Sequence, residues 1–258
     1  EEREIIGNWS KKARMEDTVS VKEGVERLLK HAVPSVRGCS WKLFDTDETG
    51  FEEAEKVCKD ADFIVACVGE HMLNSGEAHS RTDIRIPGIQ RKFIARLHKL
   101  NKPLALVVFG GRPLALSDVE KLADAILYVW QPGTEGGNAI ANLIYGKANP
   151  CGKTVMSFPR SVGQCPIYYN HFSTARPKRK DIPSFYSDER FRSGYDDEYN
   201  SPLYPFGYGL SYTKFEYSDL KLSAKKLNRG GKITANVKLK NVGKFGGYEI
   251  VQWYLRDL

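Results

Sequence analysis

The chain has 258 residues, is 41% apolar and carries a formal charge of +7, enough material for one large core or two ordinary ones. No apolar run approaches the roughly 18 residues that a membrane span needs, so no membrane partner is expected. Nucleic acid is not expected either: the densest basic cluster, Arg176-Pro177-Lys178-Arg179-Lys180, is followed by Asp181, Asp188, Glu189, Asp196, Asp197 and Glu198, which makes a mixed-charge solvated face.

The first residues, Glu1-Glu2-Arg3-Glu4, have neither the basic start nor the apolar core of a signal peptide, which fits a cytoplasmic chain or one whose true N-terminus lies upstream. Ser20 and Glu23 form a capping-box pattern, and Val21, Val25, Leu28 and Leu29 mark one face of a first helix. Phe51, Ala54, Val57 and Cys58 do the same for a second. Residues 62–68 then read as a buried strand. Beyond Pro87, the stripe Ile89, Phe93, Ile94 and Leu97 predicts a third helix that Asn101-Lys102-Pro103 ends.

Leu104–Phe109 and Ala125–Trp130 are continuous apolar runs, as expected of parallel strands buried on both faces. Gly133-Thr134-Glu135-Gly136-Gly137-Asn138 reads as a strand-to-helix turn opening a fourth helix, with Ala139, Ile140, Leu143 and Ile144 on its inner face. This alternation predicts a three-layer α/β sandwich with a mostly parallel sheet over residues 1–160. Residues 161–209, rich in Pro, Tyr, Gly and charge, read as a linker that wraps the surface, and the aromatics of Tyr204–Tyr212 as a packed joint or a sugar-stacking platform. From 210 to 258 the period becomes 2, with Ile233, Ala235, Val237 and Leu239 in one strand and Val251, Trp253 and Leu255 in another. The expectation is the beginning of a β-sandwich, incomplete because about fifty residues supply only three or four strands, and hence a fragment.

Five cysteines, Cys39, Cys58, Cys67, Cys151 and Cys165, form no CxxC pair, and Cys58 and Cys67 are expected in the core. Chemistry is sought in the loop beyond the strand at 62–68, where ligands of open α/β sheets bind. Its carboxylic acid, Glu77, lies among Ser75, Gly76, His79, Ser80 and Arg81. By composition alone Glu77 is either a solvated loop acid or a general acid. His79, lacking an HxxH or HxH partner, reads as a substrate hydrogen-bonder or surface residue rather than a metal ligand. His71, near Glu70 and Glu77, fits a polar pocket. Gly110-Gly111-Arg112-Pro113 could offer backbone amides to an anion but has no phosphate-loop spacing.

Taken together, Gly69-Glu70, Gly76-Glu77-Ala78-His79-Ser80-Arg81-Thr82-Asp83-Ile84, Gly111-Arg112-Pro113-Leu114 and Gly133–Ala141 resemble the C-terminal half of a glycoside hydrolase family 3 β-glucosidase of the periplasmic bacterial type. Ser157–Gln164 and Pro202–Tyr212 extend the resemblance over nearly the whole chain. It implies Glu77 as the general acid/base, Glu70, His79 and Arg81 as substrate-binding residues, no metal and no cofactor. It also implies a β-glucoside or oligosaccharide substrate and a nucleophilic aspartate on an N-terminal (β/α)8 barrel that this chain does not carry. A fibronectin type III-like domain from 210 and a periplasmic or secreted location follow from the same resemblance. A non-catalytic carbohydrate-binding or domain-packing module is the alternative.

Overall fold

In a computed structural model, residues 4–255 are described except 11, 187 and 190. Two compact units emerge, one within Glu1–Asn142 and Thr154–Phe206, the other within Leu143–Lys153 and Gly207–Leu258.

The first unit is an α/β domain. Helix α1 (Val21–Leu29) starts with the expected capping box: Ser20 Oγ accepts from the Glu23 amide at 3.2 Å and Glu23 Oε2 from the Ser20 amide at 2.7 Å. These reciprocal bonds satisfy amide donors that a helix start otherwise leaves open. Helices α2 (Phe51–Lys59) and α3 (Gln90–His98) follow the predicted stripes; α4 (Gly136–Ile144) forms where expected but buries Gly136, Gly137, Ile140 and Ala141, while Ala139, expected on the inner face, is exposed and Leu143 and Ile144 are half-buried. Strands β1 (Ile64–Gly69), β2 (Leu104–Phe109) and β3 (Ala125–Trp130) make a parallel sheet in the order β1-β2-β3. Ile64 lies opposite Leu104, and Ala105 opposite Ala125.

Strand alternation sends Ile64, Ala66 and Val68 of β1, and Leu104, Leu106 and Val108 of β2, into one core with Phe51 and Ala54 of α2 and Phe93, Ile94 and Leu97 of α3. Burying each of the larger side chains stabilises the fold by about 1.5–3 kcal/mol. Where α1 meets α4, glycine permits backbone contact: a Cβ on Gly24 would stand 2.2 Å from the Gly137 carbonyl oxygen, and one on Gly137 2.0 Å from that of Ser20.

The opposite sheet face corrects the expectation of burial on both sides. Val107 at its centre is enclosed, but Val65, Ala105, Leu127 and Val129 are only half-buried and Cys67 is exposed. Cys67 alternates with Ala66 and Val68 and so points away from the α2–α3 core; Cys58 is half-buried. The stretch 154–206 is tied into the first unit by the Ser117 hydroxyl, which donates to the Arg160 carbonyl at 3.0 Å, and by the Tyr204 hydroxyl, which donates to Glu120 Oε1 at 3.2 Å.

In the second unit β4 (Phe215–Leu222) pairs antiparallel with β5 (Ala235–Asn241), Tyr217 opposite Leu239. Asn149 anchors the 143–153 segment here. Its Oδ1 accepts from Ser211 Oγ and the Tyr212 amide, both at 2.8 Å, and its Nδ2 donates to the Gly246 carbonyl at 2.9 Å. The expected strand around Val251, Trp253 and Leu255 does not form: no main-chain ladder joins 251–255 to another described residue, and alternation without a hydrogen-bonded neighbour makes no strand.

Candidate functional site

The site grows from the C-terminal end of β1. Gly69 closes the strand at φ +131°, where a Cβ would stand 1.9 Å from the Phe109 carbonyl oxygen. Only glycine fits so close to the neighbouring strand. Gln90 of α3, itself buried, locks this turn: its Oε1 accepts from the Gly69 amide and its Nε2 donates to the Gly69 carbonyl, both at 2.8 Å. The Glu70 amide then donates to Phe109 O at 2.9 Å, so the first residue past β1 remains docked on β2.

Glu70 is enclosed. Its side chain has 0% exposure and lies between two guanidinium groups, with Arg81 Nη1 hydrogen-bonded to Oε1 and Arg112 Nε 3.1 Å from Oε1 and 3.2 Å from Oε2. Enclosing a carboxylate without such partners would cost several kcal/mol. Arg112 spends its remaining donors on main chain: Nη2 donates to the Asn74 carbonyl and, at 2.8 Å, to the His79 carbonyl. The Arg112 carbonyl accepts from the Tyr128 hydroxyl of β3, whose acidity burial weakens strongly.

Between Asn74 and His79 the chain makes a tight loop with Glu77 near its tip. Gly76 has φ +108° and Ala78 φ +61°, and the His79 amide donates to the Gly76 carbonyl at 3.2 Å. A left-handed alanine is uncommon and costs on the order of 1 kcal/mol, which surrounding contacts must offset. Ser75 is buried at the loop base, where a Cβ on Gly111 would stand 2.0 Å from its Oγ. Trp9 and Asn8 support Gly76 from the other side: a Cβ there would stand 2.9 Å from Trp9 Nε1 and 3.3 Å from Asn8 Nδ2.

Glu77 and His79 are both exposed, and among the described residues neither side chain has a hydrogen-bond or ion-pair partner. Arg81, 11% exposed at its side chain, also donates through Nη2 to the Arg85 carbonyl at 3.1 Å, and Asp83 pairs with Arg85 at 2.6 Å. His71 is buried, its Nδ1 accepts from the Leu73 amide at 3.2 Å, and its ring stacks on Trp41 at 3.8 Å. The structure thus brings Glu70, Glu77, His79 and Arg81 to one sheet end, the first clamped and the second free. It adds Arg112, whose part was not legible as an anion-binding glycine turn: Gly111 makes room for Ser75, and the guanidinium carries the bonds.

A carboxyl group held out from a pinned loop at this sheet end can give or take a proton at a bound ligand. Comparison with known proteins gives the family. The sequence model of the glycosyl hydrolase family 3 C-terminal domain matches residues 1–212. The chain belongs to glycoside hydrolase family 3. It is 42% identical to a periplasmic beta-glucosidase of Salmonella typhimurium over 100% of the chain and 36% of that protein. A beta-xylosidase of Formosa agariphila is 36% identical over 93% of the chain and 31% of that protein. Among solved family 3 relatives, the beta-glucosidase of Listeria innocua in complex with gluconolactone superposes with a TM-score of 0.83 at 35% identity, covering 93% of this chain and 32% of that one. The same enzyme has also been solved with glucose. The chain therefore spans about a third of the length of the relatives it matches.

Proposed function

We propose that this chain supplies the general acid/base of a retaining, exo-acting β-glucosidase that hydrolyses terminal non-reducing β-D-glucosyl residues, and that Glu77 is that group. The observation carrying the reading is the contrast within one loop: a carboxylate without partners among the described residues, exposed near the tip of a main-chain turn whose two flanks are bound to a single half-buried arginine. The family's relatives named as beta-glucosidases support the substrate class.

In this reading the nucleophile is an aspartate of an N-terminal (β/α)8 barrel. Its carboxylate attacks the anomeric carbon while the Glu77 carboxyl passes its proton to the departing glycosidic oxygen. Water then enters, giving its proton back to Glu77 as it displaces the aspartate from the sugar. The two carboxyls of such a site stand about 5 to 5.5 Å apart. His79 and the open side of Arg81 meet the sugar, and Glu70 acts on substrate through Arg81. The 258-residue chain on its own has no appreciable glycosidase activity, because a retaining displacement needs both carboxyls. Outside the site, we assign residues 1–160 to the three-layer α/β domain, 161–209 to a wrapping linker and 210–258 to part of a fibronectin type III-like domain, in a periplasmic or secreted protein.

The test is Glu77→Gln in the protein that joins this chain to its barrel. Hydrolysis of β-glucosides with poor leaving groups should collapse, whereas with an activated aryl β-glucoside, whose phenolate departs without a proton, azide should raise turnover by attacking the glycosyl-enzyme to give the β-glucosyl azide. Unchanged kinetics would leave a non-catalytic carbohydrate-binding or packing module.

A further inference from the structure

The proton donor of a glycosidase must meet the glycosidic oxygen within about half an ångström of its productive position, and a flexible loop does not hold that tolerance unaided. The loop here is short, left-handed at Gly76 and Ala78, and closed by one main-chain hydrogen bond of 3.2 Å from His79 to Gly76. Its flanking carbonyls, Asn74 O and His79 O, both accept from Arg112 Nη2. Arg112 is fixed in turn from two sides: Nε is bound to the enclosed Glu70 carboxylate, and its main-chain carbonyl accepts from the Tyr128 hydroxyl.

Stability alone is a poor reason for this arrangement, since buried ion pairs can often be replaced by apolar side chains at no loss. A planar fork that binds a carboxylate and two carbonyls at once does something apolar packing cannot do, which is to set the spacing between the ends of a turn. We infer that Arg112, oriented by Glu70, is a positioning residue that places the Glu77 carboxyl for proton transfer. This rests on the assignment of Glu77 as the acid/base. Arg112 acts through the main chain at Asn74 and His79, and the side chain of Glu77 stays free to meet the leaving group. Lysine at this position keeps the charge beside Glu70 but cannot reproduce the fork.

Arg112→Lys in the barrel-joined protein is the variant to measure, with kcat/KM read on two aryl β-glucosides across pH. One releases 2,4-dinitrophenolate, which departs without a proton; the other releases an unactivated phenol, which needs one. The expected result is a loss at least about tenfold greater on the second substrate, with a displaced alkaline limb of the pH–rate profile. Equal losses on both substrates with an unmoved limb would overturn the inference, because a merely structural arginine affects both alike. Glu77→Gln is run in parallel: if it shows no leaving-group dependence, the acid/base assignment falls, and if it does while Arg112→Lys does not, only the positioning role falls. Should Arg112→Lys not fold, the double variant E70Q/R112Q, which removes both charges together, is read by the same two substrates and the same criteria.

Discussion

Glu70 and Glu77 sit seven residues apart on one strand end, and the fold treats them in opposite ways. The first is taken out of water and bound by Arg81 and Arg112, while the second is left exposed with no partner among the described residues. The contrast sets a carboxylate whose oxygens are already engaged against one left open to a ligand, and the proposed acid/base role falls to the second. A group whose oxygens are engaged by two guanidiniums has little capacity left to shuttle a proton, whereas a free carboxyl on a pinned turn can do so once a ligand arrives.

The largest effects should break this contrast directly. In the barrel-joined protein, Glu77→Gln should lower kcat/KM for a β-glucoside with a poor leaving group by about 10²–10⁴-fold, the usual share of general acid catalysis, and barely move the thermal midpoint. A variant with near-normal kinetics would erase the division of labour. Glu70→Ala should do the reverse in kind: it strands two guanidiniums of 11% and 20% side-chain exposure, which destabilises by about 3–5 kcal/mol. A fall of the same size for Glu77→Ala in thermal or urea unfolding would show that the two acids are not distinct. Gly111→Ala should lie below both, at about 1–3 kcal/mol, because its new Cβ lands 2.0 Å from Ser75 Oγ and must push the loop base. Normal stability there would mean that Ser75 turns aside freely and that the loop is less tightly seated than the geometry implies.

Much of this scaffold was legible from residue order because its signals are local. The Ser20–Glu23 box, the Ile94–Leu97 stripe and the apolar runs of β1, β2 and β3 each carry their own periodicity, and all formed as expected. Glu77 was legible as a polar acid beyond a strand for the same reason. Arg112 was not, because its approach to Glu70 follows from β1 and β2 lying side by side in a register that pairs Gly69 with Phe109. The enclosure of Glu70, expected at first to touch substrate, depends on that same pairing. The exposed Cys67 shows a different gap: an apolar run marks a strand but not what covers each of its faces. At Val251, Trp253 and Leu255 alternation was present and the neighbour that would make it a strand was not among the described residues.

The smallest expected effect probes the outer edge of the pinned loop. Hydrogen bonds from the Arg85 side chain, then its amide, hold the Asp83 carboxyl well below the usual carboxylate range against a partial burial that opposes this. A depressed folded value means that the stabilisation is complete above the unfolded value of about 3.9 and is lost as pH falls through that value toward the folded one. The thermal midpoint difference between wild type and Asp83→Asn should therefore be constant from pH 7 to about pH 5 and shrink below about pH 4. Both side chains are about half exposed, at 49% and 48%, so solvent screens the pair and added salt should reduce the difference further. A difference that persisted unchanged to pH 2 would mean that the Asp83–Arg85 pair contributes nothing as an ion pair, leaving Arg81 to rely on Glu70 and on the Arg85 carbonyl alone for its position beside Glu77.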